Sequence, residues 1–213
     1  ISENYLLRTS FDKPQVFMNH YQKLDEYYFQ NGVDDVQADK QKRSNNAHYL
    51  AGYKKRGDEI LHSGYLEGKS GKDPSSDHSV FMHGHTKGLN FLKGYQDVQN
   101  NQSTLSFNPD FLEGRHQARK DITEMGQTHA NGNISPQNNH PLYVQSYQQR
   151  MNEIQNQGRN DANNDREAQT QHPVYLNSYR SRNQEIYNAG RDDANVSRPS
   201  QSDHSSYRSG FND

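Results

Sequence analysis

A 32-residue recurrence constrains this chain more than any local motif does. Residues 175–195 read YLNSYRSRNQEIYNAGRDDAN, and 32 residues earlier residues 143–163 read YVQSYQQRMNEIQNQGRNDAN. Looser copies open at Phe111, Phe81, Tyr49 and Phe17, and a truncated seventh opens at Tyr207 (YRSGF). The lead aromatics step by 32, 32, 30, 32, 32 and 32 residues. The short step comes from the third copy, which has eight residues between Gly84-His85 and Gly94-Tyr95 where the others have ten. A fixed period of this length marks a tandem array of one supersecondary unit.

Within each copy, counted from the lead aromatic as position 0, aromatic or apolar residues recur at 0, often at 4, and at 11, with Gly at 15. At 100° per residue these fall at about 0°, 40°, 20° and 60°, one narrow stripe of a helix. Alternation with period two, the mark of a strand, is absent. The predicted stripe is Phe17, Tyr21, Tyr28, Tyr49, Tyr53, Ile60, Phe81, Phe91, Phe111, Ile122, Tyr143, Tyr147, Ile154, Tyr175, Tyr179, Ile186 and Tyr207. Pro109, Pro141 and Pro173 stand two residues before a lead aromatic, where a first-turn proline loses no hydrogen bond.

The repeat glycines are Gly32, Gly64, Gly94, Gly126, Gly158 and Gly190. Two readings are open for them: a left-handed residue just past the helix end, or a point inside a longer helix where a neighbour approaches closely. The polar segments between helices are long enough for either a parallel or an antiparallel neighbour.

The expected fold is all-α, a tandem array of about six 32-residue single-helix repeats with polar loop linkers, stacked as a helical bundle or solenoid. The repeats are assigned to residues 14–45, 46–77, 78–107, 108–139, 140–171 and 172–203. Residues 1–13 form an N-terminal cap or partial repeat, and 204–213 a truncated seventh. One helix buries two aromatics and an Ile, about 5–8 kcal/mol at about 1.5–3 each. Ordering some thirty residues costs several times that, so the copies need one another.

Composition narrows the function. Leu, Ile, Val and Phe supply only 34 of 213 residues, a share found in disordered chains, but a net charge of −2 and 14 regularly spaced Tyr argue for a thin aromatic core in a polar shell. Cysteine is absent, which excludes disulfide and thiol chemistry. The near-neutral balance gives no basis for nucleic-acid binding, and no apolar run is long enough to span a membrane. The start at Ile1, with neither Met nor a signal-like segment, suggests a mature or excised fragment.

The polar residues carry no recognisable catalytic pattern: no nucleophile elbow, phosphate loop, HExxH or dinucleotide fingerprint occurs. His78, His140, His172 and His204 stand just before helix starts, and a structural role there is favoured over a metal site. Helix dipoles disfavour charge at that end, so acid is expected to loosen the array. Arg at position 7 (Arg56, Arg150, Arg182) and an acid at position 18 (Asp35, Glu67, Asp97, Asp161, Asp193) project near the stripe; with the Tyr hydroxyls they are expected to satisfy one another across helix interfaces rather than to form ligand sites between helices. No catalytic, cofactor or metal residue is assigned.

The frame Tyr-x-x-Gly/Ser-Tyr, then Ile-x-x-x-Gly, then Asp-Ala resembles the tandem AYxxGYxxG-type repeats of secreted and wall-attached proteins of lactobacilli and related Gram-positive bacteria. The likeness runs from about Phe17 to the end; the first, third and fourth copies lack either the Gly-Tyr pair or the Asp-Ala ending. It implies a secreted or cell-surface protein and a non-catalytic structural or adhesive role as stalk, matrix or filament component. Its partners would be neighbouring repeats or other copies of the chain. The alternative is a carbohydrate-binding accessory region of a larger secreted enzyme, with Tyr faces stacking on polysaccharide or cell-surface glycans. Burial of those Tyr against a neighbouring helix would favour the first reading.

Overall fold

Helix boundaries follow the repeat. The computed structural model describes residues 15–213, and among these it contains α1 (Gln15–Gln37), α2 (Ala47–Lys69), α3 (Ser79–Gln99), α4 (Pro109–Asn131), α5 (Pro141–Asn163), α6 (Pro173–Asn195) and α7 (Ser205–Asn212), with no strand. Residues 1–13, read above as a cap or partial repeat, lie outside the described residues. Starts are set locally. Asn46 accepts from the His48 and Tyr49 N–H groups, and Pro141 and Pro173 occupy the first turns of α5 and α6.

Each helix except the short α7 ends on one device. Asp39, Gly71, Asn101, Asn133, Asp165 and Ser197 all take positive φ, between 51° and 71°. The next N–H reaches five residues back, as Lys40 to Asp35, Gln102 to Asp97 and Arg166 to Asp161, while the positive-φ residue bonds three back. This is a Schellman turn, and it satisfies carbonyls that a helix end leaves without partners. The left-handed residue therefore lies well past the repeat glycine. Gly32 to Gly190 all sit inside helices, which settles the question the sequence left open.

The chain divides into two compact units, residues 1–94 with 106–114, and residues 95–105 with 115–213. In the first unit a Cβ on Gly32, Gly64, Gly68 or Gly94 would fall closer than 3.0 Å to the carbonyl oxygen of Tyr49, Phe81, His85 or Phe111, respectively. Residue numbers rise together across the α2–α3 contact (64 with 81, 68 with 85), so these helices run parallel. In the second unit Ser178 donates to the Gln155 carbonyl and Arg182 to Asn163, again in rising order along α5 and α6. Position 15 of one helix meets position 0 of the next and position 12 meets position 3. The mean offset is about 12 residues, or about 18 Å. Each helix thus starts halfway up its predecessor, and a nine-residue linker need return only half a helix length.

Burial follows this stagger. Val36, Tyr49, Ile60, Phe81, Phe91 and Phe111 are buried in the first unit; Val98, Ala118, Ile122 and Tyr143 form one cluster in the second, flanked by Tyr95, Leu142 and Tyr147. Ile154, Tyr175 and Tyr207 are also buried, whereas Tyr28, Tyr53, Tyr179 and Ile186 are half-buried. Phe17 and Tyr21 depart from the expected buried stripe, at 55% and 49% exposed. The reason is positional: lead aromatics are covered by the upper half of the preceding helix, and no described helix precedes α1.

Candidate functional site

The polar groups of the repeat converge at the helix junctions, and the junction is the candidate site. Its centre is the lead tyrosine. The Tyr175 hydroxyl donates to Asp161 of the preceding helix at 2.8 Å and accepts the Gln169 N–H of its own linker at 3.0 Å. Tyr49 does the same with Asp35 and the Arg43 N–H, and Tyr207 with Asp193 and the Gln201 N–H. Tyr143 bonds the His129 imidazole instead, because the fourth copy carries His at position 18. Burial pushes the Tyr175 phenol up, and the Asp161 carboxylate adds to the rise, so it stays protonated and able to donate.

Where the lead residue is Phe, the acid finds other donors. Glu67, below Phe81, takes both the N–H and the hydroxyl of Ser75, and these bonds lower its carboxyl. Asp97, in the copy before Phe111, accepts from the Thr104 N–H and lies 3.4 Å from the Arg115 guanidinium. The position-18 groups therefore satisfy the junction. Of the expected partners, the Tyr hydroxyls meet these acids and the position-7 Arg side chains do not. Arg56, Arg150 and Arg182 reach the side-chain amides of Gln37, Asn131 and Asn163 at the previous helix end, and a Glu three residues on. The acids have other arginines: Arg43 with Asp35, Arg166 with Asp161 and Arg198 with Asp193.

A second layer reaches two helices back. The imidazole Nε2 of His78, His140, His172 and His204 lies 2.6, 2.7, 2.9 and 2.5 Å from the carbonyl oxygens of Val36, Val98, Ala130 and Ala162. Each of these carbonyls also accepts the Schellman N–H of its own helix end. A carbonyl only accepts, so Nε2 carries the hydrogen. In three of the four, Nδ1 then accepts a backbone N–H of the helix it starts, from Val80, Leu142 and Ser206.

Beside two of these histidines stands a further pair. Ser79 gives both its N–H and its hydroxyl to Asp39, and Ser205 does so to Asp165. These bonds, the hydroxyl first, hold the Asp39 and Asp165 carboxyls below the ordinary carboxylate value, with a smaller contribution from the adjacent imidazole. Ser, His and Asp are adjacent here but are not wired for nucleophilic catalysis. The hydroxyl donates to the carboxylate rather than to an imidazole nitrogen, and Nε2 is committed to a carbonyl.

Among the described residues no three His, Asp or Glu side chains converge as metal ligands, and no helix is long and apolar enough to cross a membrane. The sequence reading missed the positive-φ series and the Ser44, Ser76, Ser106, Asn138, Thr170, Ser202 series. Each of the latter accepts the N–H two residues on. Both recur with the 32-residue period and were open to detection by it. Comparison with known proteins gives no parallel: no family model, no curated protein and no solved structure matches this chain.

Proposed function

We propose that this chain is a non-catalytic structural or adhesive repeat region of a secreted or cell-surface protein, acting as stalk, matrix or filament component and binding through surfaces repeated along the array. One observation carries the reading: the lead tyrosines of the array are consumed in holding helix to helix. Tyr49, Tyr143, Tyr175 and Tyr207 are each at most 5% exposed, and each bridges its own linker to the preceding helix. Tyr rings buried in this way have no free face for a sugar, which weighs against the glycan-binding alternative.

The test is retention of the purified chain on insoluble polysaccharides and on a surface coated with the chain itself. The proposal expects retention on the coated surface, lost when Tyr143, Tyr175 and Tyr207 are all changed to Ala and the junctions open. Polysaccharide retention that free sugar competes away, and that the wild type and a folded Tyr143→Phe variant share, would replace this reading with the carbohydrate-binding one.

A further inference from the structure

The four histidine junctions are chemically of two kinds, and the difference lies 39 residues earlier in the sequence. Opposite His78 and His204, the positive-φ residue closing the earlier helix is an aspartate, and its carboxylate lies 3.6 Å from Nδ1. Opposite His140 and His172 the same place holds Asn101 and Asn133. The residue after each histidine changes in step. Ser79 and Ser205 donate to the aspartates, whereas Pro141 and Pro173 have no N–H to give.

We propose that the His140 and His172 junctions are acid-release points in the second unit, while the His78 and His204 junctions hold in the same pH range. All four imidazoles bond through a neutral ring bearing its hydrogen on Nε2. A second proton must go on Nδ1. At His140 it would face the Leu142 N–H, turning a hydrogen bond into a repulsion. At His172 it would appear on a buried nitrogen that has no partner in the protein. Both sites sit at the positive end of a helix dipole.

The other titratable groups around these rings do not relieve the charge. Asp97, next to the Val98 acceptor, is turned to Thr104 and Arg115; His129, next to the Ala130 acceptor, is turned to Tyr143. At His78 and His204 a proton on Nδ1 would likewise face an N–H, that of Val80 or Ser206, but it also meets the carboxylate of Asp39 or Asp165 at 3.6 Å and forms an ion pair. Asp35 and Asp161, one residue before those acceptors, are taken by Tyr49 with Arg43 and by Tyr175 with Arg166. Asp203 is taken by Arg208.

The sign follows from where the proton goes. A proton added at His140 or His172 removes a contact the folded unit uses, whereas at His78 or His204 it gains an aspartate partner, so only the first pair makes acid weaken the fold.

The experiment is a series of melting curves on the full chain between pH 7.5 and 5.0. Wild type should lose thermal stability over that range. His140→Asn with His172→Asn should flatten the profile, and His78→Asn with His204→Asn should leave its slope unchanged or steeper. Asn101→Asp with Asn133→Asp, which supplies the missing carboxylates, should also flatten it, whatever it does to stability at pH 7.5. Parallel loss in wild type and in the His140/His172 variant would overturn the proposal. Should that variant not fold, the Asn101→Asp with Asn133→Asp chain decides: a profile as steep as that of wild type would overturn the proposal as well.

Discussion

Replacing Tyr175 by Phe removes one oxygen from the best-defined junction, and the structure says what that oxygen was holding. Tyr175 is 0% exposed, and its hydroxyl serves both Asp161, itself 6% exposed, and the Gln169 N–H. The ring still fills its space, so no cavity forms. The loss is one hydrogen bond to a buried carboxylate, about 1.5–3 kcal/mol, plus one linker N–H that can turn to water at small cost. Arg166 lies 3.6 Å from Asp161 but is largely exposed and recovers little. The expected destabilisation is about 2–3 kcal/mol, a fall in melting temperature of roughly 4–12 °C for a chain of this size.

The assay is thermal and urea unfolding of wild type, Tyr175→Phe, Asp161→Asn and the double variant. In the double variant the unpaired group is neutral, so its loss should fall short of the two single losses added together by about 1 kcal/mol or more. The third and fourth copies give the reasoning a natural precedent. They carry Phe81 and Phe111, and there Ser75, Thr104 and Arg115 have taken over the acid. A Tyr175→Phe shift below about 0.5 kcal/mol, or strict additivity in the cycle, would refute the view that the hydroxyl bridge holds the junction.

Three further outcomes follow from the geometry. Gly64→Ala puts a Cβ closer than 3.0 Å to the Phe81 carbonyl and should cost about 1–3 kcal/mol by overpacking, whereas Gly57→Ala, whose Cβ meets nothing nearer than a Val36 methyl at 3.7 Å, should gain about 0.5–1 kcal/mol from helix propensity; paired melting curves show opposite signs. Ser197→Gly, at φ 52°, should stabilise the end of α6 by up to about 1 kcal/mol, read as slower hydrogen exchange in its last turn. Because the Asp39 and Asp165 carboxyls are lowered by Ser79 and Ser205, their contribution is present above the ordinary carboxylate value of 3.8 and is lost as pH falls below it, so Ser79→Ala with Ser205→Ala should flatten the melting profile between pH 4.5 and 2.5 and leave pH 5.0 to 7.5 unaltered in slope.

What was readable in the sequence and what was not divides along a physical line. Helix existence, start and period were carried by residues that act within their own copy: Pro141 and Pro173 at first turns and the aromatic stripe at helical spacing. Helix direction was invisible because it depends on which turn of one helix lies against which turn of the next. Gly64 on Phe81 and Gly68 on His85 fix that only in space. The position-18 acids were picked out together with the Tyr hydroxyls and the position-7 Arg, but which of the two meets the acid was not readable. Both Tyr175 and Arg182 lie on the right face for Asp161, and only the half-helix stagger brings the hydroxyl, rather than the guanidinium, to its level. The 40-residue link between Ser79 and Asp39 spans two copies, a distance at which side-chain chemistry alone offers too many partners.

The histidine contacts change how defects travel. Had each helix touched only its immediate neighbours, the array would behave as a chain of nearest-neighbour couplings, and a melted segment would be bounded by one broken interface on each side. His140 holding Val98, and His204 holding Ala162, add a coupling to the second neighbour within the second unit. Any boundary between ordered and melted helices there must cut that bond as well as the adjacent interface, and a boundary one helix further along cuts a different one. Boundaries are costlier and therefore rarer, so ordered stretches lengthen. Unfolding in that unit should proceed in blocks of at least two or three helices instead of peeling off one at a time.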